Sequence, residues 1–215
     1  IISNSKSGKK DLSKLCKIQV VNIPSPSLKF VIKKKKQKIT KVFKLIAVGR
    51  LVKEKGYKTI IKALHNLKIK NFTMQILGDG PEKKELNNLI SVLHLEKKIK
   101  LIGFKKNTTE YYDKSNLFIN ASLFEGFPNA VVEAINHNIP VICSNCKGGM
   151  NEILSNGKGG DMFPVNDFEE LSKKITSFFK NPTNLNNKLV IARRNIKKYS
   201  ISAHVKKYEK VFYEI

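Results

Sequence analysis

The chain has 215 residues, is 41% hydrophobic and carries a net charge of +24, from 41 Lys and Arg against 17 Asp and Glu. This length suits one sizeable domain with appendages, and no apolar run reaches the 18 residues expected of a transmembrane helix. The three cysteines, an odd number, argue against a disulfide framework and indicate a reducing compartment.

The positive charge admits three interpretations. A basic surface suits nucleic acid or an anionic membrane surface, but a lysine-rich composition without any function gives the same charge. A nucleic-acid binder needs lysines interleaved with exposed aromatic rings, whereas the aromatic residues here lie mostly in apolar runs, which favours a place in the core: Phe72, Phe104, Phe118 and Phe178. We therefore expect no nucleic-acid partner and keep an anionic membrane surface as an open alternative.

The pattern of predicted elements changes at residue 42. Residues 1–41 predict a short helix over 5–16, an apolar run ending at Pro24 and Pro26, and a basic linker. Beyond them, short apolar runs alternate with amphipathic stretches, which is typical of a parallel sheet covered by helices. The predicted strands are 44–48, 72–77, 99–103, 116–122, 139–144 and 159–165. The predicted helices are 56–67, 81–94, 107–114, 129–137, 149–154, 167–179, 183–198 and 202–213.

Six strands with intervening helices predict an α/β fold with a doubly wound parallel sheet, Rossmann-like in its architecture. In such sheets ligands bind outside the carboxyl ends of the strands, near the switch point of the strand order. Glycine-rich or charged segments follow four of the predicted strands, at 49–55, 78–81, 103–105 and 125–133. Their convergence at one edge of the sheet predicts a single ligand site.

The segment after the first predicted strand suits phosphate. Arg50 offers a planar fork for phosphate oxygens, Lys55 offers a point charge, and Gly49 lets the backbone approach a ligand closely. A surface loop in a lysine-rich protein is the alternative. Arginine is scarce in this chain, however, since the others are Arg193 and Arg194. Gly78 and Gly80 follow the second strand in a turn that lacks the third glycine of a dinucleotide fingerprint.

Two glutamates eight residues apart carry the most information. Glu125 lies in a Gly-Phe-Pro turn, and Glu133 lies about one turn into a helix opened by Pro128 or Asn129. The amides and the dipole of a helix N-terminus attract anions, and carboxylates accept hydrogen bonds from hydroxyls. A diphosphate between two polyhydroxylated rings fits this arrangement, which describes a nucleotide-sugar. A structural pair or a paired-carboxylate hydrolase remains the alternative.

Metal and redox sites find little support in the sequence. Cys143 and Cys146 form a C-x-x-C, but no further ligands follow at zinc spacing, and the four histidines are scattered singly. We expect no metal and no cofactor.

Five motifs in order resemble glycosyltransferase family 4, whose members are retaining enzymes of the GT-B fold. They are GRLVKEKG at 49–56, LGDGPE at 77–82, LIGF at 101–104, SLFEGFPNAVVEA at 122–134 and NEILSNGKGGDMFPVND at 151–167. The resemblance runs over about 42–213, and the spacing of Glu125 and Glu133 is the family hallmark. The variant motifs look most like the bacterial enzymes that build lipopolysaccharide, capsule and lipid-linked glycans.

The resemblance implies roles for individual residues. Arg50 and Lys55 would neutralise the donor diphosphate, in place of a metal ion. Glu125 would hold hydroxyls of the transferred sugar, Glu133 would hold the ribose, and the backbone near Phe104 would read the base. The other implied donor-binding residues are Gly49, Gly78, Gly80, Gly126, Phe127, Pro128, Asn129, Ala130, Val131 and Val132.

The resemblance also implies a division of the chain. Residues 1–41 would be the tail of a missing N-terminal Rossmann-like domain with a basic linker, 42–198 the nucleotide-sugar donor domain, and 199–215 a C-terminal crossover helix. The chain would then be the C-terminal half of a GT-B fold, and an apolar stripe on its last helix would be exposed. That stripe comprises Val205, Tyr208, Val211 and Phe212.

The implied activity is transfer of a hexose or N-acetylhexosamine from a nucleotide-sugar to a saccharide or lipid-linked acceptor, with retention of the anomeric configuration. The nucleotide expected first is UDP, and the second is GDP. We expect a cytoplasmic protein, peripheral at the inner face of the membrane, whose isolated chain binds nucleotide weakly and transfers negligibly. The alternative is a non-catalytic nucleotide-sugar binding module that works with a separate acceptor subunit.

Overall fold

A computed structural model describes residues 1–16, 19–23, 42–69 and 71–213 of the chain. The predicted basic linker lies largely outside these residues. The strands of the described part are β1 (Ile2–Ser3), β2 (Val21–Asn22), β3 (Phe43–Val48), β4 (Phe72–Leu77), β5 (Ile99–Gly103), β6 (Leu117–Asn120), β7 (Phe124–Glu125), β8 (Val141–Ser144), β9 (Lys147–Gly148) and β10 (Asp161–Phe163).

Most helices of the described part lie between these strands, and the last three follow β10. They are α1 (Lys6–Leu15), α2 (Tyr57–His65), α3 (Lys83–Val92), α4 (Thr109–Asp113), α5 (Asn129–Asn136), α6 (Met150–Ile153), α7 (Phe168–Lys180), α8 (Pro182–Ile196) and α9 (Ile201–Tyr213). Single 3₁₀ turns cover Lys53–Lys55 and Lys197–Tyr199.

Six strands form a central sheet in the order β10-β8-β6-β3-β4-β5, and every neighbouring pair is parallel. The chain starts in the middle with β3, builds outward to β5, and then crosses back to β6 on the other side of β3. This order confirms the predicted doubly wound sheet. Its switch point lies between β3 and β6, so the loops that leave these two strands meet at the centre of one sheet edge.

The sheet is covered on both faces because its strands are apolar on both faces. One core cluster joins strand residues such as Leu45 and Met74 to apolar side chains of α2, α3 and α7. The other joins Ile46 and Phe118 to apolar side chains of α5, α6 and α8. The central strands therefore lie between two buried apolar clusters, and the loops at their carboxyl ends leave from this packed part of the sheet.

The predicted elements of residues 42–198 are present with shifted ends. The strands at 72–77 and 99–103 match residue for residue, whereas the predicted strand 159–165 shortens to Asp161–Phe163. The predicted helix 183–198 begins one residue earlier, at Pro182, with Asn181 as its cap. Proline favours the first helical position because its missing N–H would be unpaired there in any case.

The elements that flank residues 42–198 in the chain pack on them or project from them. Strands β1 and β2 pair in parallel, and α1 contacts β9. On α9, Val205 and Phe212 are exposed while Tyr208 and Val211 are half-buried, so much of the predicted stripe is uncovered in the structure. No helix in the described part of the chain is long and apolar enough to cross a membrane.

Candidate functional site

The site lies at the switch point of the sheet. The segment that begins with Gly49 leaves β3, and the turn that contains Glu125 follows β6, the neighbouring strand. A small parallel pair, β7 with β9, sets Glu125 opposite Gly148. The sequence-predicted segments after β3 and β6 therefore meet, as the strand order requires.

Lys55 and Glu125 form the central contact. The Lys55 Nζ atom lies 2.6 Å from Oε1 of Glu125, and the carboxylate is buried whereas the lysine is partly exposed. Seventy residues separate the two in the chain. The pair unites a cation from the loop after β3 with a carboxylate from the turn after β6, and both were predicted to serve one ligand.

Two further donors converge on the same oxygen of Glu125. The Ser122 hydroxyl donates to Oε1 over 2.7 Å and the Asn120 amide over 3.3 Å. Asn120 also accepts from the Ser122 backbone amide, which ties the end of β6 to the turn. Sequence reasoning missed both residues, although a polar pair at the end of an apolar strand was a usable signal.

The loop that leaves β3, predicted from the sequence to bind phosphate, has its own support. Arg50 is exposed, and the buried Tyr57 donates its hydroxyl proton to the Gly49 carbonyl over 2.9 Å. Burial, together with the charge of Glu125, raises the pKa of Tyr57, so this phenol stays protonated as a donor. Tyr57 was not predicted from the sequence, and it fixes the peptide that precedes Arg50.

Glu133 lies apart from this cluster, in the second turn of α5. Its Oε2 atom accepts from the Tyr112 hydroxyl over 3.0 Å. Burial raises the pKa of Glu133, while the Tyr112 hydrogen bond and the charge of His137 act in the opposite direction. Glu133 is therefore held by a neutral partner, in contrast to the lysine beside Glu125.

The start of α5 differs in detail from the expected anion site. Pro128 is the cap residue and makes no side-chain capping bond. The backbone amide of Asn129 donates to the Phe127 carbonyl, and the backbone amides of Val131 and Val132 donate to the Pro128 carbonyl. These three amides already have partners within the turn. The side chains of Val131 and Val132 are buried in the core.

The remaining predicted positions divide by role. Gly78 and Gly80 allow close backbone packing, since an added Cβ would lie 1.9 Å from the Gly49 carbonyl oxygen and 2.5 Å from that of Leu51. These two glycines thus let the segment after β4 pack closely against the loop that leaves β3. Phe104 follows β5 and is 74% exposed.

The N-terminal segment reaches the same edge. A Cβ added to Gly126 would lie 3.3 Å from the side-chain amide atoms of Asn4. The Glu152 carboxylate accepts from the Lys6 amide over 2.6 Å, at the N-terminus of α1. Nothing in the sequence paired these residues, because they lie more than a hundred positions apart.

The cysteines lie near this site without an evident part in it. Cys143 and Cys146 are buried free thiols, and burial raises the pKa of both. A raised pKa keeps a thiol protonated and unreactive. Within residues 1–16, 19–23, 42–69 and 71–213, no group of three or more His, Cys, Asp or Glu is arranged to hold a metal ion.

Three known relatives share part of this chain. An uncharacterized glycosyltransferase of Methanocaldococcus jannaschii is 41% identical over 52% of the chain and 28% of its own length. An N-acetylgalactosamine-N,N'-diacetylbacillosaminyl-diphospho-undecaprenol 4-alpha-N-acetylgalactosaminyltransferase of Campylobacter jejuni is 37% identical over 57% and 33%. The alpha-monoglucosyldiacylglycerol synthase of Acholeplasma laidlawii is 30% identical over 80% and 44%. The chain thus spans less than half of each relative.

Solved structures confirm the fold. HepE of Anabaena, in complex with UDP and glucose, superposes with a TM-score of 0.88 at 19% identity, covering 100% of this chain and 63% of its own. The pneumococcal O-GlcNAc transferase GtfA, in complex with UDP and GlcNAc, gives 0.81 at 22% identity, covering 99% and 44%. The family model described as glycosyl transferases group 1 matches residues 29–201. The chain belongs to this family.

Proposed function

We propose that this chain is the donor-binding half of a retaining glycosyltransferase. The whole enzyme would transfer a hexose or N-acetylhexosamine from a nucleotide-sugar, UDP first and GDP second, to a saccharide or lipid-linked acceptor. The observation that carries the proposal is the 2.6 Å contact between Lys55 and Glu125 at the switch point of the sheet. It brings together the cation that would bind phosphate and the carboxylate that would bind sugar hydroxyls.

The cations would assist departure of the leaving group. When the bond between the anomeric carbon and the diphosphate oxygen breaks, negative charge builds on the diphosphate. Arg50 and Lys55 would stabilise that charge where it develops. Because these side chains supply the positive charge, the proposal includes no metal ion and no cofactor.

The rest of the donor would lie along the edge of the sheet. Glu125 would accept from hydroxyls of the transferred sugar, with the backbone of residues 126–132 contributing through the helix dipole and its remaining amides. Glu133 would accept from the ribose, and the backbone at Phe104 would read the base. Gly49, Gly78 and Gly80 would keep the adjoining loops close to the diphosphate.

The acceptor is proposed by analogy with relatives, and the location is proposed from the net charge. The Campylobacter jejuni relative is named for a diphospho-undecaprenol acceptor, and the Acholeplasma laidlawii relative for a diacylglycerol product. We propose a cytoplasmic enzyme, peripheral at the inner membrane face, where its charge of +24 would attract anionic lipid. An N-terminal Rossmann-like domain would supply the acceptor site, so the isolated chain would bind donor weakly and transfer negligibly.

Calorimetric titration of the purified chain with UDP, GDP and ADP tests donor binding. We expect UDP to bind most tightly and Arg50→Ala to weaken it about tenfold, the worth of one charge-assisted contact. Arg194→Ala, an exposed arginine on α8, is the matched control and should bind as the wild type does. Absence of binding by every nucleotide, or equal loss in both variants, would overturn the proposal.

A second candidate function is a non-catalytic nucleotide-sugar module paired with a separate acceptor subunit. The chain spans 28% to 44% of the lengths of these three relatives, and in this second proposal a separate subunit would supply the remainder. Expression with an N-terminal Rossmann-like half, fused or separate, discriminates the two. Sugar transfer only by the fused chain supports the enzyme, and transfer by the mixed subunits supports the module.

A further inference from the structure

The structure draws attention to Tyr112, a buried tyrosine behind Glu133. Its side chain is fully buried, and its hydroxyl lies 3.0 Å from Oε2 of Glu133 and 3.3 Å from the carbonyl oxygen of Ala130. A phenol has one proton to donate, and a carboxylate is the stronger acceptor. Burial and the Glu133 charge raise the pKa of Tyr112, so the proton is retained.

A second layer fixes the tyrosine ring. The His137 imidazole stacks on it with ring centroids 5.1 Å apart and an interplanar angle of 16°. The Asp113 carboxylate lies 2.9 Å from Nδ1 of His137. Tyr112 and Asp113 belong to α4, whereas Glu133 belongs to α5 and His137 caps it. The two helices are thus joined by a continuous polar and aromatic contact behind the site.

We propose that Tyr112 is a positioning residue for nucleotide recognition. Its hydroxyl holds Oε2 of Glu133, so that Oε1 is presented to the hydroxyl pair of a ribose. The inference rests on the proposed function, because it takes Glu133 as the ribose-binding group. It adds α4, a helix of five residues, to the parts of the chain that determine which ligand binds.

The physical argument concerns the freedom of a partly buried carboxylate. Without Tyr112, Glu133 would lose the hydrogen bond that compensates its removal from water. The side chain would then gain by turning toward solvent, away from the orientation that suits a ligand. The hydroxyl of Tyr112 should therefore affect recognition of the ribose more than recognition of the diphosphate.

Tyr112→Phe tests this by removing the hydroxyl and keeping the ring. Binding of UDP and 2′-deoxy-UDP is measured by calorimetry for the wild type, Tyr112→Phe and the matched control Tyr111→Phe. We expect the wild type to prefer UDP by about tenfold, the worth of roughly one hydrogen bond to a charged group. Tyr112→Phe should lose most of this preference, and Tyr111→Phe should retain it.

The preference is a ratio within one protein, so a general loss of stability does not imitate the effect. If Tyr112→Phe does not fold, His137→Leu replaces it, and a reduced preference for UDP is again expected. A wild-type preference that survives in Tyr112→Phe overturns this inference and leaves the proposed function intact. A wild type that binds UDP and 2′-deoxy-UDP equally overturns the ribose role of Glu133 and this inference with it.

Discussion

Glu125 and Glu133 lie eight residues apart, yet the protein treats their charges in different ways. Glu125 is 8% exposed and meets Lys55, Ser122 and Asn120 at a single oxygen. Glu133 is half-buried and its hydrogen-bond partner is a neutral phenol, so burial raises its pKa. One carboxylate is compensated by a cation and the other by a hydroxyl.

The difference matches what each carboxylate would face in a donor. A ribose is neutral throughout the reaction, so a neutral partner behind Glu133 suffices. The bond that breaks in a nucleotide-sugar lies between the sugar and the diphosphate, where charge develops. A cation is worth most at that point, and in the proposed donor site Lys55 would lie there, beside Glu125.

The largest expected effect comes from a substitution that distorts the backbone beside Glu125. Gly148 has φ +115°, and an added Cβ would lie 1.6 Å from the Glu125 carbonyl oxygen. Gly148→Ala should therefore lower the free energy of unfolding by about 3 kcal/mol or more, through strain and a forced backbone shift. Urea unfolding measures this.

Gly103→Ala is the matched control for Gly148→Ala. Gly103 has φ +80° but nothing within 4 Å of its added Cβ, so its cost should stay near 1 kcal/mol, roughly the left-handed penalty alone. Equal losses in the two variants would mean that the close approach at Gly148 does not support the turn.

A smaller effect should follow removal of the cation alone. Lys55→Met leaves the buried oxygen of Glu125 without its charged partner and should cost about 2 kcal/mol. The control is Lys53→Met, because Lys53 lies exposed in the same 3₁₀ turn and should change stability by less than about 0.5 kcal/mol. Lys55→Met as mild as its control would show that Ser122 and Asn120 suffice to hold the carboxylate.

The smallest expected effect is a pH dependence of the free energy of unfolding that arises from Glu133. Its raised pKa means that the folded protein holds the proton more tightly than the unfolded chain. The contribution of Glu133 to stability is then greatest at low pH and falls as the pH rises through the raised folded pKa. The wild type should lose stability relative to Glu133→Gln over this window. The account is contradicted if the free energies of unfolding of the wild type and Glu133→Gln change in parallel from pH 4 to 8.

The sequence predicted the parts of the fold that follow from local pattern. The strands 72–77 and 99–103 were predicted residue for residue because each is an apolar run bounded by turn or charged residues. The convergence of Lys55 with Glu125 was predictable from the rule for ligand sites in doubly wound sheets. Once a doubly wound strand order is assumed, both loops lie at the same edge of the sheet.

Contacts between distant segments could not be predicted in this way. Strands β7 and β9 have two residues each, too few to show an alternation. The hydrogen bond from Tyr112 to Glu133 joins two helices. The spacing of apolar residues predicts a helix but does not identify the polar side chains that it contacts. The contact of Lys6 with Glu152 likewise depends on tertiary packing across 146 positions.

The most direct test of the account measures how the two glutamates divide the donor. UDP, UDP-glucose and UDP-N-acetylglucosamine are titrated into the wild type, Glu125→Gln and Glu133→Gln. The account predicts a crossed result for whichever sugar the wild type prefers: Glu125→Gln loses the extra affinity that the sugar confers, and Glu133→Gln loses affinity for UDP with or without sugar. Equal losses of UDP affinity in both variants, or no loss in either, would contradict it.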